Sequence, residues 1–190
     1  MTAKASGNPG EILIAEYNYI AQTAFQANEK SARVTSFDVT AIGSLIAPLI
    51  TTQFAITPDK LIWFYWGFAG LFAALAFRGM LTILELARLR SAWFESILAM
   101  NQIKNYYFEH VEQIKEAFIW HAETAPKKFK INSVGFMLVT QVAILSAAAL
   151  GASVLFSLEA ISNNLMLAPA IICGVVFFIC QLLLYRNALK

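Results

Sequence analysis

The chain has 190 residues, of which 58% are hydrophobic and 14% are charged, and its formal net charge is +2. Its apolar fraction and its mean hydropathy of +0.60 are too high for an ordinary soluble domain of this length. The composition therefore predicts an integral membrane protein. A net charge this small does not indicate nucleic-acid binding, so no nucleic-acid partner is expected.

Residues 1–36 are predicted to form an amino-terminal cytoplasmic amphipathic helix. Asn8 can cap its first free amides, Pro9 suits the first helical position, and Glu11 complements the positive end of the helix dipole. The helix is expected to run from Pro9 into the first membrane span, with one apolar face packed against protein. The polar start of the sequence predicts no cleavable signal peptide.

Four apolar stretches are each near the roughly 20 residues that a helix needs to cross a bilayer. They predict an all-α fold with four transmembrane helices, arranged as hairpin 1 at residues 37–84 and hairpin 2 at residues 132–185. Twelve of the 14 Lys and Arg residues lie in the arm 1–36, the segment 85–131 or the tail 186–190. By the positive-inside rule both termini and that segment are cytoplasmic, and the expected location is the bacterial inner (plasma) membrane.

Hairpin 1 contains two charges at matching distances from its predicted turn at Thr57–Lys60. Asp38 and Arg78 each lie about 20 residues, or about 30 Å, from the turn. They are predicted to share one depth and to form an ion pair. Alternatively, Arg78 snorkels to the lipid headgroups while Asp38 caps the start of its span.

Arg33 and Glu85 are also nearly equidistant from the predicted turn, and they lie further from it than Asp38 and Arg78. This second pair would lie where the membrane helices become cytoplasmic helices. Asp38, Arg78, Arg33 and Glu85 are therefore the candidate residues for coupling the membrane layer to the cytoplasmic layer.

Small residues on the second and third spans predict close helix packing, within the chain or between subunits. They are Gly67, Gly70 and Ala74 on the second span, and Ala148, Gly151 and Ala152 on the third. Gln141 and Gln181 fall at similar depth on the third and fourth spans and are predicted to be able to hydrogen-bond each other.

The segment 85–131 carries a long apolar stripe of coiled-coil type, with spacings of three and four residues. The candidate partner or oligomer surface on this stripe is formed by Leu89, Trp93, Ile97, Met100 and Tyr107. The segment either forms one projecting helix or breaks near Asn105 into a helical hairpin. Both forms are expected to pack against the amino-terminal helix and to end at Pro126.

No motif in the sequence indicates catalysis. His110 and His121 would lie about 16 Å apart on a continuous helix, too far to hold one ion. Cys173 and Cys180 would be about 10 Å apart along theirs, too far for a disulfide. There is no glycine-rich phosphate loop and no nucleophile elbow. The sequence predicts no enzyme and no catalytic, cofactor or metal site.

The general plan is a cytoplasmic helix that enters membrane hairpins, with a helical cytoplasmic insert between them. This plan resembles small multi-span bacterial membrane effector and sensor proteins, including those found in phage-defence operons. The small-residue faces and the apolar stripe favour a homo-oligomeric effector or channel-like protein, surrounded by membrane lipid and controlled through its cytoplasmic helices. The alternative is a membrane scaffold or sensor subunit that recruits a soluble cytoplasmic partner without conducting ions.

Overall fold

The computed structural model describes residues 9–45, 61–110, 126–162 and 167–190, and the regular structure of these residues is helical throughout. The helices are α1 Pro9–Gly43, α2 Leu61–His110, α3 Val134–Ser162 and α4 Leu167–Ala188. The predicted all-α fold is confirmed for these residues. The predicted helix start at Pro9 is also confirmed.

Three of these helices are long and apolar enough to cross a membrane. The candidate spans are Leu61–Glu109, Val134–Ser162 and Leu167–Ala188, with mean hydropathies of 1.7, 2.0 and 2.5 over their most apolar windows. Their length and composition are those of transmembrane helices. They support the prediction that the chain is a membrane protein.

The first predicted span is described only in part. Helix α1 continues past Phe37 and ends at Gly43, and a turn follows in which Leu45 N donates to Ile42 O at 3.2 Å. Glycine is a poor helix former, which makes this a favourable place for the regular helix to stop. The remainder of the span and the turn predicted at Thr57–Lys60 lie outside the described residues.

Helix α2 is continuous over 50 residues. A break at Asn105 itself is excluded, because the helix passes through that position and is described as far as His110. The choice between one helix and a hairpin stays a prediction. Between Met80 and His110 the sequence contains no glycine or proline, so nothing in the backbone chemistry favours a break. The continuation at 111–125, which includes His121, lies outside the described residues.

The chain divides into two compact units, each built from two segments of the sequence. Unit 1 comprises the described residues of Met1–Lys30 and Leu89–Lys128, and unit 2 comprises those of Ser31–Arg88 and Phe129–Lys190. Helices α1 and α2 each contribute residues to both units, whereas α3 and α4 belong to unit 2.

The core of unit 2 has two layers in which neighbouring helices run antiparallel. One layer joins Ile83 on α2, Val142 on α3 and Tyr185 on α4. The other joins Phe68 and Phe72 on α2 to Ala149 on α3, with Phe156 packed against them. The rings of Phe72 and Phe156 stack at 5.8 Å with an interplanar angle of 7°. Phe68 and Phe72 of α2 pack against later residues of α3 than Ile83 does, so α2 and α3 run antiparallel.

Candidate functional site

The charged pair of hairpin 1 lies within unit 2. Arg78 Nε is 3.8 Å from Asp38 Oδ1, which is ion-pair distance but longer than a hydrogen bond. The Arg78 guanidinium also lies 5.7 Å from the centre of the Phe37 ring, within cation–π range. Asp38 and Arg78 are thus close together, as the matched spacing predicted.

The alternative role for Asp38 as a helix cap is wrong. A capping residue lies at the first turn of its helix, whereas Asp38 lies near the carboxyl end of α1, which begins at Pro9. Its side chain is only 5% exposed. A carboxylate buried to this extent needs a partner, and Arg78 is positioned to provide its charge compensation.

Thr82 of α2 is a further polar residue beside the Asp38–Arg78 contact. It is fully buried, it lies one helical turn after Arg78, and its side chain is beside the Asp38 carboxylate. Asp38 Oδ2 and Thr82 Oγ1 nevertheless have no partner in hydrogen-bonding geometry among the described residues. Buried polar atoms without partners are costly, and they are uncommon except where a structure has a functional reason to keep them.

A second polar contact joins α3 to α4. Ser146 Oγ donates to Gln181 Oε1 at 2.9 Å, and both residues are buried. The predicted bond between Gln141 and Gln181 is wrong, because Gln141 is exposed and Gln181 is bonded to Ser146. Depth matching placed Gln141 at a suitable height, but it did not indicate which face of α3 the side chain occupies.

Gly79 lies beside both polar contacts, because it follows Arg78 on α2 and packs against Ser146 of α3. A Cβ atom at Gly79 would collide with Ser146 Cβ, so the backbones of α2 and α3 make a very close approach there. Arg78, Gly79 and Thr82 lie within two turns of α2, so α2 meets the α1 carboxylate and the α3 hydroxyl over a short length. One further polar bond, from Ser153 Oγ to Ala69 O at 2.8 Å, joins α3 to α2 nearer the start of α2.

The small residues predicted on α2 are not the ones that make these contacts. Gly67, Gly70 and Ala74 are exposed, and a Cβ atom added to Gly67 or Gly70 would meet no atom of another described residue within 4 Å. Their contact with another helix stays a prediction. Gly79 on α2 and Gly174 on α4 were not predicted; a Cβ at Gly174 would lie 3.0 Å from Ala147 O.

The predicted residues of α3 lie along an apolar groove. A groove of about 520 Å³ runs between α3 and α4, and its lining includes Ala148, Gly151 and Ala152. A Cβ at Gly151 would lie 3.2 Å from Ala170 O, so this glycine allows close packing of the two helices. Ala148 is exposed on the rim.

Arg33 and Glu85 stay candidates for the second charged pair. Arg33 is exposed and Glu85 is half-buried. Each takes part in a polar or charged interaction of its own. Their pairing with each other stays a prediction.

The apolar stripe of α2 lies in unit 1 and is largely covered. Ile97 is buried, while Leu89, Trp93, Met100 and Tyr107 are half-buried. The polar side chains of Ser96 and Asn101 are buried beside this stripe on the same helix. The stripe therefore contributes to the packing of unit 1, and only its partly exposed members could also contact a partner.

Arg90 joins the two ends of the second segment of unit 1, Leu89–Lys128. The Arg90 guanidinium lies 4.1 Å from the centre of the Trp93 ring, and its Nε donates to Lys128 O at 3.2 Å. These contacts tie the stretch after Pro126 to α2. No group of three or more His, Cys, Asp or Glu residues that could hold a metal ion occurs among the residues that the structure describes.

Sequence reasoning missed Thr82, Gly79 and the Ser146–Gln181 bond as parts of one region. A signal was present, since Gly79 and Thr82 lie one and four residues after Arg78, and residues four apart share a helix face. No protein-family profile, curated protein or solved structure matches the chain.

Proposed function

We propose that the protein is a non-enzymatic, homo-oligomeric membrane effector or channel-like protein whose membrane helices respond to its cytoplasmic helices. The observation that carries this proposal is that α1 and α2 are each a single helix with residues in both compact units. A displacement of either helix in one unit is transmitted to the other unit without an intervening loop. The Asp38–Arg78 contact links these same two helices within unit 2.

The proposed topology has four spans, with both termini in the cytoplasm of a bacterial cell and the protein in its inner membrane. The fourth span in addition to α2, α3 and α4 would be the one that starts at Phe37. The basic residues support this orientation: in the described part of unit 2, Arg88, Lys130 and Arg186 all lie toward the end where α2 leaves the unit. Positive charge concentrates on the cytoplasmic side of membrane proteins.

The proposed oligomer would use surfaces that the described residues leave uncovered. Gly67, Gly70 and Ala74 are exposed along one face of α2. Small residues on a transmembrane helix allow another helix to approach closely, and van der Waals packing then stabilises the contact. A pore would be assembled at such contacts between copies of the chain.

The alternative is a scaffold or sensor subunit that binds a soluble cytoplasmic protein through unit 1. Exposed apolar side chains on α2 support it: Leu98 is 39% exposed and Tyr106 is 47% exposed. Aromatic residues at a surface are common anchors of protein interfaces. In this alternative the membrane helices hold unit 1 at the membrane and conduct nothing.

Membrane potential in bacteria that express the chain separates the two functions. The full-length chain is compared with a variant in which residues 89–128 are replaced by a flexible linker, which removes the second segment of unit 1 and keeps Arg88 and Phe129. Arg78→Gln is the second variant, and Gln141→Leu, at an exposed position on α3, is the matched control.

The effector function predicts that a potential-sensitive dye reports depolarisation with the full-length chain and the control. It also predicts that the linker variant and Arg78→Gln alter that depolarisation at equal membrane abundance. Absence of depolarisation with every variant, together with a soluble protein that is retained by the full-length chain and lost with the linker variant, would instead support the scaffold.

A further inference from the structure

The end of unit 2 that contains the Tyr185 core layer carries four exposed cations. Arg88, Lys130, Arg186 and Lys190 are all exposed, and we call them the basic ring. Each directly follows, in sequence, a residue of the same apolar cluster. These preceding residues are Ala87, Phe129, Tyr185 and Leu189. The four cations therefore lie next in sequence to residues of one cluster, at one end of the membrane helices.

Negative charge at this end does not balance the basic ring. Among the described residues of unit 2 the acidic side chains are Asp38, Glu85 and Glu159. Asp38 is paired with Arg78, and Glu159 lies near the opposite end, in the last turn of α3. Glu85 is the acidic residue close in sequence to Arg88. The ring therefore keeps an excess of positive charge.

The backbone around Lys130 adds to this potential and fixes its position. Ser133 Oγ donates to Lys130 O at 2.7 Å and accepts a hydrogen bond from Phe136 N at 3.2 Å, which caps the start of α3. The amino-terminal end of a helix carries partial positive charge. Phe129 is held against Tyr185, with ring centres 6.3 Å apart. Lys130 is thus held between an aromatic anchor and a helix amino terminus.

The position of the basic ring indicates which anionic groups it would bind. It lies at one end of helices that are long and apolar enough to cross a membrane, where the anionic groups at hand are lipid phosphates. Phe129, Phe136 and Tyr185 form an aromatic cluster beside it, in which Tyr185 is buried and the two phenylalanines are partly buried. We propose that the basic ring binds the headgroups of anionic phospholipids in preference to zwitterionic ones.

The test measures lipid selectivity at the protein surface. The full-length chain is reconstituted in phosphatidylcholine vesicles with trace spin-labelled phosphatidylglycerol or spin-labelled phosphatidylcholine. Electron paramagnetic resonance then gives the motionally restricted fraction of each lipid and their relative association constant. We expect an association about five-fold stronger for phosphatidylglycerol, the factor that corresponds to one basic residue near an anionic headgroup. The preference should fall as salt is added.

The basic-ring variant is Arg88→Gln, Lys130→Gln, Arg186→Gln and Lys190→Gln combined, for which the ratio should approach one. The matched control neutralises four lysines of the unit 1 segments, at positions Lys4, Lys30, Lys104 and Lys115, and should keep the preference. A variant with Arg88→Lys and Arg186→Lys keeps the charge and should also keep the preference. Circular dichroism establishes that the compared proteins have equal helix content.

An equal association of both lipids with the unaltered chain would overturn the proposal, as would a preference that the basic-ring variant retains. Loss of the preference on addition of millimolar inorganic phosphate, at constant ionic strength, would show a site for free phosphate instead and would also overturn it. None of these outcomes depends on depolarisation, so the lipid site and the proposed effector function fail separately.

Discussion

Arg78 Nε lies 3.8 Å from Asp38 Oδ1, and the two side chains differ in exposure, at 41% for Arg78 and 5% for Asp38. The carboxylate is therefore the member of the pair that has lost its water. Removing Arg78 leaves a buried charge without compensation, whereas removing Asp38 leaves a guanidinium that can still reach polar surroundings. The two single substitutions should for this reason have unequal effects.

The first prediction concerns this asymmetry. Arg78→Gln should destabilise the protein by about 1–3 kcal/mol, because a buried carboxylate loses a partner that is itself partly exposed. Asp38→Asn should cost less. The double variant Asp38→Asn with Arg78→Gln should be more stable than Arg78→Gln alone. Unfolding in mixed micelles for all four proteins gives the coupling energy, and a strictly additive cycle would contradict an energetically important pair.

The second prediction concerns the bond between α3 and α4. Ser146→Ala removes the donor to Gln181 Oε1 and should cost about 0.6 kcal/mol, with an upper bound of about 1.7 kcal/mol, as for other hydrogen bonds between transmembrane helices. Gln141→Leu is the matched control, because Gln141 is exposed. The free energy of unfolding of the control should be unchanged. An equal loss from Gln141→Leu would mean that Gln141 has a role outside the described contacts.

The third prediction compares two glycines on one helix. Gly79→Ala should destabilise the protein by about 1–3 kcal/mol, because the new methyl group would overlap Ser146. Gly70→Ala meets no atoms among the described residues and should gain helix stability of up to about 1 kcal/mol. Thermal unfolding of each variant in detergent measures the difference, and equal effects would contradict the close approach of α2 to α3.

A bulkier change at the second glycine tests the proposed oligomer. Gly70→Leu should leave the helix content of the chain intact and should weaken association between copies, since a large side chain blocks close approach on a small-residue face. Cross-linking in membranes, followed by analytical ultracentrifugation, measures the association. An unchanged oligomer would remove this face of α2 from the interface.

The fifth prediction concerns topology. With four spans and cytoplasmic termini, an alkaline phosphatase reporter fused after Lys190 or inserted after Met100 should be inactive in a bacterial host. The same reporter inserted after Asp59 should be active, because that loop would lie on the opposite side of the membrane. Fluorescent-protein fusions at the same positions should give the reverse pattern. Activity of the phosphatase after Lys190 would require an odd number of spans or the opposite orientation.

Much of the helical organisation was predictable because it depends on local chemistry. Pro9 begins a helix as expected, since helix-start signals are readable over a few residues. The proximity of Asp38 and Arg78 was also predictable, because the two residues are equally far in sequence from the predicted turn at Thr57–Lys60.

Features that depend on helix rotation were not predictable in this way. The depth argument that succeeded for Asp38 failed for Gln141, because the rotation of α3 about its axis gives the contact to Ser146 instead. For the same reason, Gly67 and Gly70 were preferred over Gly79, although only Gly79 meets another helix among the described residues. Spacing identifies residues that share a face, but the packing of side chains decides which face is covered.

Arg78 and Gly79 are consecutive, so α2 is constrained on two sides at one height: by the α1 carboxylate and by the α3 backbone. Contacts at one height allow α2 to tilt about that height, but they resist a translation of α2 along its own axis. Sliding α2 by about 4.5–6 Å, three or four residues of rise, would replace Gly79 with a residue that has a side chain, such as Ala76 or Thr82, against Ser146. We therefore expect Gly79 to act as a pivot, at which small rotations of the long helix are permitted and translations are resisted.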